Sequence, residues 1–367
     1  MNLLALTKYD RKGASSRLRF AQFRAPLASA GIDVTFRPLF RDRYLELLYK
    51  SGARSRTEII AGIVSRLADI PQIASYDVVW LEGELIPWLP TWIELAVLKR
   101  TRRLVVDYDD PIHLKYSFRA GPWSHKIEAI MRMADVVVAA NPVLVAHAEA
   151  SGAKQVEFIP TVVDCTKFAA ARDRQQGAPT VVGWIGTPQT APYLTAIAPV
   201  LEKLQQKGLI EIHVVGASDA ASVRGCHHIA WREDTEAAVI NGFDIGIMPL
   251  TDDPWSRGKS GFKLVQYMAA RKPIIASPIG FNVELVTKSG AGFLASTLDE
   301  WETAICSLTA SHGLRRHLGQ RGRDYVELNL SVQSVAPRLV RIFSELRAGN
   351  ARPHGRTAAA AKQHWPL

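Results

Sequence analysis

The feature that most constrains the fold of this chain is a regular alternation of short apolar runs with longer segments of helical periodicity. Runs typical of buried strands occur at residues 2–7, 32–39, 77–81, 104–107, 134–139 and 156–160, and again at 180–185, 210–215, 244–248 and 274–277. Strands that alternate with helices form βαβ units, which require a parallel sheet covered by helices on both faces. The sequence therefore predicts an α/β protein built from two doubly wound, Rossmann-like domains.

The boundaries of these domains follow from breaks in the alternation. Residues 170–178 (AARDRQQGA) are charged and aperiodic, which is typical of a linker. We expect an N-terminal domain over residues 1–172 and a C-terminal domain over residues 173–334. A final helix over residues 335–347 could pack back on the first domain, and a disordered tail is expected over residues 348–367.

Charge and composition narrow the class of partner. The chain has 45 Lys and Arg against 35 Asp and Glu, and this net charge of +10 indicates an anionic partner, such as nucleic acid, a phosphorylated ligand or a membrane surface. The most apolar stretch, residues 85–98, contains two prolines and a glutamate, and the first residues lack a signal peptide's basic region. Three scattered cysteines exclude a disulfide scaffold. We therefore expect a cytoplasmic protein.

The segment after the predicted strand 244–248 carries the most informative pattern. A loop with two glycines leads into a predicted helix at 262–270, and its candidate ligand-binding residues are Arg257, Gly258, Lys259, Ser260, Gly261 and, in the first helical turn, Lys263. Glycines allow a ligand to approach the backbone, and a helix N-terminus offers N–H groups and a positive dipole end. Cations there are unfavourable unless an anion lies among them. The pattern predicts a phosphate or diphosphate site; the alternative is a solvated basic loop.

Around this loop the sequence resembles the GT-B glycosyltransferases of family 4, also called glycosyl transferases group 1. The resemblance is carried by residues 263–277 (KLVQYMAARKPIIAS), 182–187 (VGWIGT), 243–250 (FDIGIMPL), 159–164 (IPTVVD) and 134–141 (ADVVVAAN). It implies that two Rossmann-like domains face each other across a cleft, the first on the acceptor side and the second binding a nucleotide-sugar. It also implies sugar transfer from a nucleotide-diphosphate donor to a hydroxyl acceptor, with retention, without a metal and without a further cofactor.

The resemblance also implies roles for individual residues. Lys259 and Lys263 would stabilise the departing diphosphate, with Arg257 as a third candidate. Gly186 and Thr187 would bring backbone against the donor phosphates or the sugar.

Two departures from the family pattern concern the donor site. Gln266 stands where the family has the glutamate that binds the donor ribose, and an amide can bond the same hydroxyls. The family's other glutamate, eight positions earlier, is absent near Gly258, and residues 188–190 replace the usual basic pair. A catalytically degenerate nucleotide-sugar-binding protein therefore remains an alternative.

Acidic residues follow the predicted strand 104–107, at the end expected to face the cleft. By the family register Asp109 occupies the place of a histidine near the reacting sugar, so Asp109 is a candidate catalytic base, with Asp110 and His113 as candidate substrate contacts. The alternative for both aspartates is helix capping or a salt bridge. A metal-binding Asp-x-Asp site of the other glycosyltransferase fold is disfavoured, because two carboxylates alone are a poor cage.

The loop after the first strand is a further candidate for ligand contact. Gly13 permits a tight turn, Ser15 or Ser16 can cap the following helix at residues 17–30, and Arg17 lies in its first turn. Arg17 is either a ligand contact or a surface cation. Glu82 and Glu84 follow the strand 77–81 and read more readily as plain loop carboxylates than as acceptor contacts.

A second concentration of basic residues, between Arg37 and Arg66, is interleaved with leucines and Tyr49. Such a surface could contact an anionic membrane at its inner face; a solvated helix face is the alternative. No nucleic-acid motif is present. The sequence predicts a glycosyltransferase as its leading function. A nucleotide-sugar epimerase or phosphorylase of similar fold is the rival enzyme class.

Overall fold

The computed structural model describes residues 1–117, 120–168, 178–217 and 223–349. These residues divide into two compact units. Unit 1 comprises Met1–Thr161 and the described residues from Val335 onward, and unit 2 comprises Val162–Ser334. The linker predicted at residues 170–178 lies outside the described residues apart from residue 178. The same holds for the predicted disordered tail apart from residues 348 and 349.

Unit 1 is built around a parallel sheet with the order β2-β1-β3-β4-β5-β6. Its strands are β1 (Asn2–Tyr9), β2 (Asp33–Phe40), β3 (Val78–Glu82), β4 (Leu104–Tyr108), β5 (Val136–Ala139) and β6 (Val156–Phe158). Its helices are α1 (Ala14–Arg19), α2 (Arg24–Ser29), α3 (Asp42–Ser51), α4 (Arg56–Asp69), α5 (Thr91–Leu98), α6 (Lys126–Met133) and α7 (Pro142–Ala150). All residues of β3, β4 and β5 are buried, which explains their unbroken apolar sequence because helices cover both faces of the sheet.

Unit 2 contains the second parallel sheet, with the order β12-β11-β10-β7-β8-β9. Its strands are β7 (Thr180–Ile185), β8 (Ile210–Val215), β9 (His227–Ile229), β10 (Ile245–Met248), β11 (Ile274–Ala276) and β12 (Gly292–Leu294). Its helices are α8 (Ala198–Gln206), α9 (Glu236–Asn241), α10 (Pro254–Arg257), α11 (Phe262–Ala269), α12 (Phe281–Ser289), α13 (Leu298–Ala310) and α14 (His312–Asn329).

The last helix, α15 (Val332–Arg347), begins in unit 2 and belongs to unit 1 from Val335 onward. Within unit 1, the ring of Phe343 packs edge-on against Trp80 of β3, with 5.2 Å between the ring centroids. Both side chains are fully buried. The apolar face of α15 therefore completes the core of unit 1, although it lies far from that core in the sequence.

The strand orders show where a ligand can bind in each unit. In a doubly wound sheet the ligand crevice lies at the carboxyl ends of the strands, where the strand order reverses. In unit 1 the reversal lies between β1 and β3, and in unit 2 it lies between β7 and β10. The loops after these four strands therefore line the expected ligand sites, and they include the glycine loops that the sequence singled out.

The first predicted helix of unit 1 and two edge strands of unit 2 differ from the prediction. The helix predicted at residues 17–30 is divided into α1, a 3-10 turn at Ala21–Phe23 and α2, in part because Pro26 has no amide hydrogen with which to continue the helical ladder. The short strands β9 and β12 were not predicted, because β9 begins with two histidines and β12 begins with a glycine, a residue depleted in strands. None of the helices in the described ranges is both long and apolar enough to span a membrane.

Candidate active site

The glycine loop of unit 2 lies between two helices, α10 and α11. The sequence led us to expect an irregular loop from β10 to α11, but Pro254–Arg257 form a short helix. Asp253 caps it, because its Oδ1 accepts a hydrogen bond of 2.8 Å from the backbone N–H of Ser256. This cap fixes the direction in which the chain enters Gly258, Lys259, Ser260 and Gly261.

The starts of α11 and α12 lie close to this loop. Gly261 precedes α11 with φ +66°, and Gly280 precedes α12 with φ +57°. A Cβ atom on Gly280 would come within 2.4 Å of the Arg257 carbonyl oxygen, so only glycine fits there without a shift. Within the described residues no side chain caps either helix. Two positive helix-dipole ends therefore lie at this loop, and both favour an anion there.

The two lysines predicted to contact a diphosphate lie over aromatic rings of unit 2. The Lys259 ammonium is 5.7 Å from the centroid of the Tyr193 ring, and that of Lys263 is 5.4 Å from the Trp184 ring. Both lysines are half-buried. The hydroxyl of Tyr193 lies 3.0 Å from the hydroxyl of Ser256, which helps to fix this ring. Both cations therefore lie beside aromatic residues of β7 and of the segment that follows it.

Arg257, the third predicted cation, already has an anionic partner. Its Nε and Nη2 donate to the two carboxylate oxygens of Asp252 at 2.6 and 3.0 Å. This hydrogen bonding lowers the pKa of Asp252. Both side chains are well exposed, so the pair is screened by solvent. Arg257 therefore has less charge to offer to a ligand than Lys259 and Lys263.

The loop after β7 contains the predicted donor residues Gly186 and Thr187. A Cβ atom on Gly186 would lie 2.3 Å from the ring of Trp184, which accounts for the glycine. The backbone N–H of Gly186 donates to the Val215 carbonyl, and that of Thr187 donates to the hydroxyl of Thr190, both at 3.0 Å. Because both amides are used inside the protein, they hold the loop in place.

Gln266 belongs to a polar cluster that the sequence did not reveal. Its side chain is buried on α11, and its Nε2 donates to Glu236 Oε1 at 2.8 Å. The other oxygen of Glu236 accepts from the indole Nε1 of Trp231 at 2.5 Å. A carboxylate from the start of α9 therefore lies beside the amide predicted to bind ribose. The sequence signal for Glu236, an acidic residue in a first helical turn, is also the usual sign of plain dipole compensation.

In unit 1 the loop after β1 binds a buried carboxylate. Gly13 precedes α1, and a Cβ atom there would lie 2.3 Å from the Cβ of Tyr9. The serine cap predicted for this helix is wrong, since Gly13 holds that position without a side-chain hydrogen bond. The hydroxyl of Ser16 instead donates to Glu82 Oε2 at 2.6 Å. Arg17 is half-buried and its Nη1 donates to the Arg11 carbonyl at 3.3 Å.

Glu82 and Glu84 are not the plain loop carboxylates that we expected. Glu82 is the last residue of β3, and burial raises its pKa to about 7 despite the Ser16 hydrogen bond. Glu84 accepts from the Tyr116 hydroxyl at 2.5 Å and from the Lys126 ammonium at 2.7 Å. That ammonium also contacts buried Glu94 at 2.8 Å. The prediction was wrong because it assumed that residues at the end of β3 are exposed to solvent.

The aspartates after β4 lie near these buried acids. Asp107 is buried and paired with Arg19, whose Nε donates to Oδ1 at 2.8 Å, and burial raises its pKa to about 6. Asp109 is half-buried, and its negative charge helps to raise the pKa values of both Glu82 and Asp107. The predicted base therefore lies at the carboxyl ends of β3 and β4, within a group of acids.

Asp110 and His113 follow in the same segment. The carbonyl of Asp110 accepts from the backbone N–H of Ile112 at 2.8 Å and closes the turn after β4. The His113 ring stacks on His147 of α7, with 3.6 Å between the centroids and an interplanar angle of 17°. Burial, with the charge of His147, lowers the pKa of His113 to about 4. His113 is therefore a neutral ring at physiological pH.

Comparisons with known proteins agree with this architecture. Residues 180–311 match the family model described as Glycosyl transferases group 1. None of the curated protein sequences matches the chain. Among solved structures the chain is similar to sucrose-phosphate synthase from Thermosynechococcus elongatus, with a TM-score of 0.71 and 15% identity, over 95% of this chain and 100% of that one.

Two further solved structures show the same fold. HepE from Anabaena in complex with UDP-glucose has a TM-score of 0.67 and 14% identity, over 94% of this chain and 100% of that one. WaaG, described as a glycosyltransferase of lipopolysaccharide biosynthesis, has a TM-score of 0.63 and 10% identity, with coverage of 94% and 100%. The predicted fold class and enzyme class are thus confirmed. The chain has the GT-B fold of these glycosyltransferases, and residues 180–311 of its unit 2 match the glycosyl transferases group 1 family model.

Proposed function

We propose that the enzyme transfers a sugar from a nucleotide-diphosphate donor, bound by unit 2, to a hydroxyl acceptor recognised by unit 1. We further propose that the reaction retains the anomeric configuration and needs no metal or other cofactor. The observation that carries the proposal is the arrangement of the α11 and α12 starts beside the ammonium groups of Lys259 and Lys263. The fold similarity to a structure that contains UDP-glucose supports a nucleotide-sugar as the donor.

The proposed chemistry follows from charge. The acceptor oxygen forms a bond to the anomeric carbon as the bond from that carbon to the diphosphate oxygen breaks, so negative charge grows on the diphosphate. Ammonium groups and backbone N–H groups fixed in advance stabilise this charge without reorganisation. The acceptor proton must pass to a basic oxygen, and Asp109 is our candidate acceptor of that proton. Gln266, held by Glu236, is our candidate contact for the ribose hydroxyls.

The donor site is tested by replacing one cation. Lys263→Ala should lower kcat/KM by about 100- to 1,000-fold, the usual effect of removing one oxyanion-stabilising donor. Lys207→Ala is the matched control, because Lys207 is an exposed lysine at the end of α8 in the same unit. Both variants should keep the melting temperature of the wild type. Unchanged turnover in the folded Lys263 variant would contradict the site.

The assay must also identify the donor and the reaction class. A thermal-shift screen of nucleotide diphosphates and their sugars selects the donor, because a selective ligand stabilises the native state by mass action. Nucleotide release that requires a hydroxyl acceptor supports transfer. Epimerised free sugar or dependence on inorganic phosphate would instead support the rival enzyme class, and tight binding without turnover would indicate a degenerate binding protein.

We also propose that unit 1 contacts an anionic membrane surface through α3 and α4. Three apolar side chains on α4 recur at helical spacing and are exposed: Ile60 at 62%, Val64 at 59% and Leu67 at 50%. The exposed cations that flank this stripe are Arg41, Arg43, Lys50, Arg54 and Arg56. An exposed apolar stripe beside cations suits the boundary between lipid headgroups and acyl chains.

Vesicle sedimentation tests this surface. Vesicles that contain phosphatidylglycerol should bind the protein, and pure phosphatidylcholine vesicles should bind it less. Val64→Glu should weaken binding by at least about tenfold, since burial of a valine contributes about 1.5 kcal/mol or more. Leu209→Glu in unit 2 is the control, because Leu209 is a comparably exposed apolar residue (41%). Equal binding by both variants would contradict the assignment.

A further inference from the structure

Two histidines and a glutamate form a compact cluster at the edge of the sheet in unit 2. Glu211 and His213 lie on β8, and His227 is the first residue of the edge strand β9. Residues two apart on a strand share a face, which places Glu211 beside His213. The parallel register places His213 directly opposite His227. Two features of the sheet, strand alternation and strand register, therefore bring the three side chains together.

The atoms of this cluster are spaced for a shared cation. One carboxylate oxygen and one nitrogen from each ring all lie within 4.8 Å of one another. The His213 Nε2 is 3.7 Å from Glu211 Oε2. In a tetrahedral zinc site with bonds of 2.0–2.1 Å, neighbouring ligand atoms are about 3.3–3.4 Å apart. Small side-chain rotations would therefore bring the three ligands to bonding distance.

The cluster is also accessible and has a defined orientation. His227 is exposed, and Glu211 and His213 are half-buried. The two imidazole rings lie 5.3 Å apart at 75° to each other. On the other face of β8, Ile210, Ile212 and Val214 are buried in the core. The ligand face thus opens to solvent while the strand that carries it is anchored.

We propose that Glu211, His213 and His227 bind one divalent first-row transition-metal ion, with Zn²⁺ as the reference ion. Two imidazoles and a carboxylate, with a fourth position left to water, are a ligand set that zinc uses, and imidazole also suits nickel and copper. Magnesium and calcium prefer oxygen ligands throughout, so they should bind far less well. This inference does not depend on the proposed transfer reaction.

The position of the cluster indicates a structural role. His213 precedes Gly216, which follows the carboxyl end of β8, by three residues, or roughly 10 Å along the strand. The ion would lie before the strand ends and away from the loops that hold the candidate donor residues. It would tie the three-residue edge strand β9 to β8. Because β9 leads directly to Trp231, which contacts Glu236, this link would also steady the support of Gln266.

A second pair of metal-binding side chains lies nearby and provides the control. His228 is adjacent to His227 but points to the other face of β9, by strand alternation. Its Nε2 lies 3.3 Å from the Sγ of Cys226. If metal bound through Cys226 and His228, substitutions on the opposite face would leave it in place.

Isothermal titration of the full-length, tag-free, chelator-treated protein with ZnCl₂ tests the proposal. We expect one ion per chain, with His213→Ala and His227→Ala each weakening binding by at least the roughly 10- to 100-fold that even outer-shell substitutions cost. His228→Ala and Cys226→Ser should bind as the wild type does. MgCl₂ should give no comparable binding.

Thermal melting provides the second readout. Zinc should raise the melting temperature of the wild type and of the His228 variant but not of the His227 variant. Without zinc, all three should melt alike, because His227 and His228 are both exposed. Absence of zinc binding by the wild type would overturn the proposal. So would a loss in the His228 variant equal to that in the His227 variant.

Discussion

Replacing Gln266 by glutamate should lower the stability of this protein. Gln266 donates its amide hydrogen to Glu236 over 2.8 Å, and its side chain is 4% exposed. In Gln266→Glu this hydrogen bond is lost, and the new carboxylate lies beside the carboxylate of Glu236, which it repels. The substitution is conservative in volume, so its effect should report the charge at this contact.

The magnitude follows from Coulomb's law. Two unit charges 2.8 Å apart repel by about 6 kcal/mol at an effective dielectric constant of ~20, and rotation to about 5 Å reduces this to about 3 kcal/mol. We therefore expect Gln266→Glu to lose roughly 3 kcal/mol of unfolding free energy at pH 8. Because protonation of either carboxylate removes the repulsion, the loss should shrink as the pH falls.

Urea unfolding followed by tryptophan fluorescence measures this loss, and the reversed pair provides the decisive control. Gln266→Glu combined with Glu236→Gln returns one amide and one carboxylate to the contact, so stability should recover by most of the loss. Gln206→Glu, at an exposed position on α8, controls for added charge elsewhere in the unit. If Gln266→Glu loses no more unfolding free energy than that control, or if the double variant regains none, the contact between Gln266 and Glu236 does not stabilise the protein as we propose.

Three further substitutions test other parts of the structure. Arg19→Met should cost about 3–5 kcal/mol in urea unfolding at pH 8, since it leaves buried Asp107 without its ion-pair partner; a loss under 1 kcal/mol would contradict this pairing. Glu82→Gln should stabilise the protein most at pH 8, and the difference from wild type should narrow by pH 5, because burial raises the pKa of Glu82 from 4.5 to about 7 and the resulting cost grows across that range and is complete above it. Gly280→Ala should strain the start of α12 against the Arg257 carbonyl, and circular dichroism melting should show a lower midpoint than in the wild type.

The pattern of the sequence was enough to predict the fold class. The apolar runs that become β3, β4, β5 and β7 are continuous because both faces of each strand are buried, and that burial leaves a local signature. The order of the strands leaves no such signature. The placement of β7 between β8 and β10 depends on which long-range pairings bury the most surface, so only the folded sheet defines the ligand crevice.

Some residues of the candidate site could be predicted from the sequence, and others could not. The loop Gly258–Gly261 and its lysines could be identified because glycine and clustered charge are local signals. Glu236 could not be identified, since it meets Gln266 across 30 positions of sequence. The contact is made by two helices that the sheet brings together.

The location of the charged side chains shows most clearly what only the tertiary structure determines. Arg66 counts among the basic residues expected at a surface, but it is buried, and its Nη2 donates to the Thr7 carbonyl at 2.7 Å. Burial lowers its pKa to about 10. Residue type and local periodicity determined the strands, the helices and the glycine loops of this protein. The tertiary structure decided which charges lie in the interior and which can reach a ligand, because burial depends on distant elements that pack over the same side chain.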